Sequence, residues 1–451
     1  MSFSEHVRQV PGLNVHNATE HRPKQETVQA DEDDKNDDNQ STKSSDSASS
    51  TSTIRYSQEP WNTFKDKVTQ LATQLFPDVK DIDIERLPGG SSNRVVGISV
   101  AQASHHYSFL NHAYDFIRTI CGHPAVTQKM KTDRYILRIP RYGDEHMERD
   151  IAVLKLIGCQ KQYPVPRVIR HDMTEDNALG APYTLQHRIP GQTLHTIFGQ
   201  LNHEQRKDLT RKIVRLMMFL QTMLVSACAV VTAYEPFEQG HAFRMEILSI
   251  PTEHDEDESP TVLLAKPQTT LEFILDACQR WQDYEKSYLC KPRPFWDEFM
   301  AMAREMHKRD LIPDTDKFHF THMDLYARNI LVNVKDENSI EITGVLDWDD
   351  ALYAPKYVAC RAPFWLWEDE EGLDENCENE ALRIPEETGS RELKELFEQI
   401  VGSDFLRYAY GPEYILLRRM FVQLQYGVSD NAHSRECRTI LEEWSRLRDK
   451  H

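Results

Sequence analysis

The sequence predicts an α+β chain of two lobes: a small N-terminal lobe on an antiparallel sheet and a larger, mostly helical C-terminal lobe. Three observations carry this. Short β-rich segments recur between residues 82 and 189 with one helix among them. Beyond residue 200 helical periodicities dominate. The chain, at 451 residues and 39% hydrophobic content, is long enough for two packed cores and too long for one small one.

Taken in order, residues 1–58 are rich in Ser, Thr, Asp, Asn and Gln, with almost no large apolar side chain after Val28. Such a tail buries too little surface to offset chain entropy, and disorder is expected. The N-terminal lobe is placed at 59–189. It opens with an amphipathic helix marked by Trp61, Phe64, Val68, Leu71 and Leu75. Strands are expected at Ile82–Leu87, Arg94–Val100 and Tyr135–Ile139, with 101–132 as an insertion. A helix follows at Glu145–Ile157 and is expected to stop at Gly158. Further strands are read at Arg167–His171 and Tyr183–Ile189, and Pro190-Gly191 marks the hinge to the second lobe, 190–451. That lobe opens with Asn202-His-Glu-Gln205, an N-cap with glutamine three residues on. Helices are also expected at about 269–285 and 294–308, separated by an acidic loop at Glu253–Glu258.

A formal net charge of -19 argues against a nucleic-acid partner, whose recognition needs a basic footprint. Eight cysteines lie far apart with no C-x-x-C, which fits reduced thiols and a cytoplasmic location rather than a disulfide framework. The N-terminus lacks the regions of a signal peptide. Leu216–Tyr234 carries no formal charge, but Ile213, Leu216, Met217, Leu220, Leu224 and Ala227 recur at helical spacing. An amphipathic core helix explains it better than a membrane span, so no membrane partner is expected.

The most informative run is Phe318-His-Phe-Thr-His322-Met-Asp324-Leu-Tyr-Ala-Arg-Asn329-Ile-Leu-Val-Asn333. Apolar Ile330–Val332, a polar turn at Lys335–Ser339 and a second strand to Leu346 predict a hairpin, after which comes Asp347-Trp-Asp349. With the turn centred near Asn338, Asn329 and Asp347 lie nine residues to either side and meet at one end, where Asp324 enters. Two carboxylates and an amide oxygen suit Mg²⁺ carrying nucleotide phosphates. Phosphoryl transfer needs such a set, with a base for the attacking hydroxyl. Asp324 is read as that base, and Asn329 and Asp347 as Mg²⁺ ligands.

His322-x-Asp324-x-x-x-x-Asn329-Ile-Leu-Val and Val345-Leu-Asp347-Trp348 resemble the aminoglycoside phosphotransferase and choline kinase group of the protein-kinase-like fold, over roughly residues 80–370. The resemblance implies dependence on ATP and Mg²⁺ and a small-molecule hydroxyl acceptor. It also implies that His322 braces the catalytic loop through backbone hydrogen bonds. Protein kinases place Asp-Phe-Gly after the hairpin and carry Ala-Pro-Glu, both missing here. A non-catalytic nucleotide-binding scaffold is the alternative, and the joint presence of Asp324, Asn329 and Asp347 speaks for an enzyme.

The same resemblance assigns further nucleotide contacts. Gly89, Gly90, Ser91, Ser92 and Asn93 occupy the turn whose backbone N–H groups would face phosphate. Arg138, on the third strand, stands where a lysine is common, and Asp150 on the next helix stands for its glutamate partner. An Arg138–Asp150 ion pair is therefore expected, with Glu148 pointing further round. Gln186 and Arg188 sit in the linker that holds adenine by backbone groups. After Asp349, Trp365, Trp367 and the acids at 368–371 suggest a cage for a cationic acceptor, though packing aromatics are the simpler reading.

Overall fold

The computed structural model describes residues 58–79, 81–89, 92–101, 132–141, 147–237, 240–250, 263–289, 293–313, 315, 317–368 and 377–449. Most of the 1–58 tail, the 101–132 insertion and the start of the helix expected from Glu145 lie outside them. So do the Glu253–Glu258 loop, Gly90 and Ser91.

Helix α1 (Trp61–Leu75) buries Phe64, Val68, Leu71 and Ala72, a stripe at helical spacing. It covers one face of a five-stranded antiparallel sheet in the order β1 (Ile82–Arg86), β2 (Asn93–Ala101), β3 (Thr132–Pro140), β5 (Tyr183–His187), β4 (Val168–Asp172). Alternation sets the faces. Val96, Ile98, Leu137, Ile139 and Leu185 join α1 in a separate core. The other face carries Glu85, Gly97, Ile136, Arg138, Thr184 and Gln186, which oppose one another across the ladder.

Helix α2 (Met147–Gln160) does not stop at Gly158. Glycine costs a helix only about 1 kcal/mol against alanine, and the helix runs through it to Gln160. Its Ala152, Val153, Leu154 and Leu156 pack into the large core, not the N-terminal one.

The linker is anchored. Short strand β6 (Gln192–Thr193) pairs with β11 (Ile330–Asp336), itself paired with β12 (Ser339–Val345). Gly191 holds φ +129°, and a Cβ there would strike Thr343 Oγ1 and the Val332 backbone. A short helix, α3 (Leu194–Ile197), follows, and then α4 (His203–Leu220), whose expected capping box is present. Gln205 N–H donates to Asn202 Oδ1 and Asn202 N–H to Gln205 Oε1, both at 3.0 Å.

Helical spacing misleads beyond Leu220. The segment to Tyr234 leaves the helix at Gln221-Thr222 and forms β7 (Leu224–Val225) and β8 (Ala229–Phe237). β-branched Val225, Val230, Val231 and Thr232 favour strands, and pairing partners far along the chain supply the ladder. They build a second five-stranded sheet, β7-β10-β13-β8-β9, with β9 at Gly240–Glu246, β10 at Phe318–Thr321 and β13 at Leu352–Ala354.

Helices α5 (Thr270–Leu289) and α6 (Phe295–Lys308) match the expected pair. The C-terminal part finishes with α7 (Lys356–Ala359), α8 (Thr388–Tyr410), α9 (Pro412–Tyr426) and α10 (Asn431–Arg448). The fold is thus α+β, with the larger lobe mostly helical around its own sheet. No described helix is long and apolar enough to cross a membrane. Cys159, Cys228, Cys278, Cys360 and Cys437 are free thiols.

Candidate active site

Strand β10 delivers the chain to His322, which is 2% exposed. Its Nε2–H donates to the Leu346 carbonyl at 2.9 Å, and its Nδ1 accepts the Asp324 N–H at 3.3 Å. That pattern requires a neutral ring, and burial pushes its pKa down to about 4. The ring packs on Trp348, centroids 4.4 Å apart. His322 thus ties the loop at Asp324 to the residue that follows the hairpin.

Met323 takes a left-handed φ of 66°, and the turn that follows folds back on itself. Asn329 Nδ2 donates to the Asp324 carbonyl at 2.9 Å and to Asp324 Oδ2 at 2.7 Å. Arg328, four residues on, pairs with Asp324 Oδ1. With Nδ2 committed, Asn329 Oδ1 is the atom left to face a cation.

The hairpin closes as its spacing requires. Asp336 opposes Ser339, Ile330 opposes Val345, and Leu346 N–H donates to Asn329 O at 2.8 Å. Asp347 follows at once, in a left-handed conformation with φ 62°. Burial pushes its carboxyl up to about 6; the charges of Asp349 and Asp324 add to this, and Arg138 opposes it.

Asp324, Asn329, Asp347 and Arg138 are thus brought together. The Arg138 guanidinium lies 2.7 Å from Asp349 Oδ2 and 3.7 Å from Asp347 Oδ1. The expected pair with Asp150 does not form: neither Asp150 nor Glu148 is within ion-pair distance of Arg138. Burial and the neighbouring Asp349 charge push the Asp150 carboxyl up, to about 8. Burial alone would weaken the Arg138 cation, but Asp349, Asp150 and Asp347 outweigh it. Asp349 is the residue that sequence reasoning passed over as a partner, although the Asp-x-Asp spacing put it in view.

The remaining expected contacts stand apart from the catalytic loop. Gln186 is 3% exposed and donates to Thr184 Oγ1 at 3.4 Å. Arg188 pairs with Glu85 at 2.6 Å across Gly97. Of the β1–β2 turn, Ser92 accepts the Arg141 N–H at 2.9 Å, and Asn93 pairs with Pro140. A Cβ on Gly89 would sit 2.7 Å from Asn93 O, so the turn needs glycine there. The cationic cage fails: Trp365 and Trp367 are each 4% exposed. Trp367 packs on Phe397, and Trp365 Nε1–H donates to Leu325 O at 3.0 Å.

A model of the phosphotransferase enzyme family matches residues 125–357, which hold the whole loop and hairpin. The chain belongs to the phosphotransferase enzyme family. No curated protein matches the sequence of this phosphotransferase. Among solved structures it is similar to the GDP complex of aminoglycoside 2'-phosphotransferase-IIIa, with 15% identity over 85% of this chain and 99% of the other, TM-score 0.43. It is also similar to macrolide 2'-phosphotransferase MphH from Brachybacterium faecium, with 13% identity over 83% and 97%, TM-score 0.39.

Among the described residues no three His, Cys, Asp or Glu side chains form a closed metal cluster. An open Mg²⁺ site fits this donor set better, because Mg²⁺ keeps waters and takes one or two carboxylates plus substrate phosphates. Asn329 Oδ1 and the Asp347 carboxylate are hard oxygen donors, and the mutual repulsion of Asp324, Asp347 and Asp349 favours a cation among them.

Proposed function

We propose that this phosphotransferase moves the γ-phosphoryl group of ATP to a hydroxyl of a small molecule, with Asp324 as base. The observation that carries it is the Asn329–Asp324 bond at 2.7 Å, at the hairpin end where Asp347 also emerges. Asn329 and Arg328 hold the Asp324 carboxylate in one orientation, so that it can take the acceptor's proton as attack begins. The acceptor oxygen bonds to the γ-phosphorus, the bond to the β,γ-bridging oxygen breaks, ADP leaves with that electron pair, and the proton passes to Asp324. Mg²⁺, held by Asn329 Oδ1 and Asp347, would neutralise phosphate charge. Arg138 offers a second cation to the phosphates from the N-terminal sheet, and Gly89 to Asn93 would lie over them. Gln186 and Arg188 would border the adenine. The free thiols fit a reducing, cytoplasmic setting.

The test is a thermal-shift titration with Mg–ATP followed by ATP consumption across a metabolite library, wild type against Asp324→Ala. Mg–ATP stabilisation with turnover in the wild type alone is expected. Stabilisation without turnover for any acceptor would reject the enzyme in favour of a scaffold.

A further inference from the structure

A cavity of about 110 Å³ lies directly behind the catalytic loop, and its walls include both chain neighbours of Asp324. Its lining is mostly apolar and includes Phe320, Met323, Leu325, Phe364, Trp365 and Phe421. A cavity of this order with apolar walls has room for a single apolar ring.

The polar groups that reach the cavity are already engaged. Gln221 donates to Ala359 O at 2.9 Å and accepts from the Cys360 thiol at 3.6 Å. Thr321 Oγ1 donates to His319 O, and His322 bridges Leu346 and Asp324. Glu378 is clamped between Arg361 at 3.0 Å and Arg418 at 2.8 Å. Arg418, 5% exposed, gives its other N–H groups to the carbonyls of Tyr357, Tyr408 and Ala409. Even the Trp365 indole N–H is spent on Leu325 O, which fixes the wall to the catalytic loop.

The mouth is marked by Val422 on α9, which lines the cavity and is 42% exposed. The same lining holds Met323 and Leu325, so the cavity and Asp324 share one loop.

We infer that the cavity seats the non-reacting part of the acceptor, and that the acceptor is an uncharged alcohol on an apolar ring or short hydrocarbon arm. This rests on the reading of Asp324 as base and names its substrate class. A polycationic acceptor would bring charges to described walls whose one carboxylate is already held by two arginines. An apolar arm displaces no bonded group and leaves its hydroxyl at the rim.

Isothermal titration of the full chain, free of nucleotide, with 2-phenylethanol and with 1,3-diamino-2-propanol tests this. ADP release under Mg–ATP is then followed with each alcohol. Saturable binding of 2-phenylethanol is expected, at least tenfold tighter than the dicationic alcohol. Val422→Trp, which narrows the mouth, should weaken it tenfold or more, and Val422→Glu should shift preference toward the dicationic alcohol. Tighter binding of the dicationic alcohol, no saturable binding of 2-phenylethanol, or indifference to both substitutions overturns the assignment. Asp324→Asn separates the two readings. It should bind 2-phenylethanol as the wild type does and transfer nothing. Transfer at the wild-type rate would remove Asp324 as base while leaving the cavity assignment standing.

Discussion

Arg138 Nη2 lies 2.7 Å from Asp349 Oδ2, so a cation on the N-terminal sheet is tied to the loop that follows the catalytic hairpin. The side chain of Arg138 is 15% exposed and that of Asp349 27%, which leaves water little room to compensate a loss. Arg138→Met should cost about 2 kcal/mol in urea unfolding, below the full cost of a fully buried pair. The same substitution should weaken Mg–ATP binding at least tenfold in a thermal-shift titration. Arg138→Lys keeps the charge without the planar fork and should fall between.

Asp324→Asn isolates the chemical step. An asparagine Oδ1 still accepts from Asn329 Nδ2, so the loop should keep its shape. With no carboxylate to take the proton, kcat should fall by about two to four orders of magnitude. The Kd for Mg–ATP, measured by isothermal titration, should stay within a few-fold of wild type.

His322 gives stability a pH dependence of known sign. Its folded pKa, about 4, lies below the 6.5 of the unfolded chain. Between these values the unfolded state binds more protons, so stability falls as pH drops from 6.5 toward 4. The loss should be on the order of 3 kcal/mol across that window. Urea unfolding of wild type and His322→Gln at pH 7 and pH 4.5 measures it. The variant should be weaker at pH 7, having lost the Leu346 and Trp348 contacts, and the gap should narrow in acid.

Asp150 acts in the opposite sense. Its folded pKa, about 8, exceeds the unfolded 3.8. The folded state keeps a proton that the unfolded chain sheds, so this group costs stability as pH rises from 4 to 8. Asp150→Asn keeps the shape without the proton. It should match wild type near pH 4 and exceed it at pH 8 in the same unfolding assay.

The hairpin at 330–345 is legible in the sequence because its information is local. Apolar strands, a polar turn and equal arms fix which residues meet, and Asn329 and Asp347 emerge at one end whatever surrounds them. The helices at 270–289 and 295–308 were legible for the same reason, through their own periodicity. The second sheet was not. Its strand at 224–225 pairs with 318–319, and the partner of 229–230 is 352–353, so the apolar run after Leu220 was read by its nearest neighbours as helix. Helix periodicity points to Asp150 as the partner of Arg138, but the guanidinium meets Asp349, a contact between distant segments that only the folded chain supplies.

Two glycines, Gly180 in the turn between β4 and β5 and Gly191 in the linker, distinguish strain from collision. Gly180 has φ +65° and Gly191 φ +129°, so alanine at either is strained by about 1–3 kcal/mol. A Cβ at Gly180 meets nothing within 4 Å, whereas at Gly191 it strikes Thr343 Oγ1 and lies 3.1 Å from Val332 O. Both struck groups belong to the catalytic hairpin, and Gln192, next in the chain, pairs with Val332. Gly180→Ala should lower the melting temperature slightly and leave kcat unchanged. Gly191→Ala should lower it further and reduce kcat several-fold, because relieving the collision shifts the strand that begins one residue after Asn329. Equal effects of the two substitutions on kcat would show that Gly191 carries strain without positioning the hairpin.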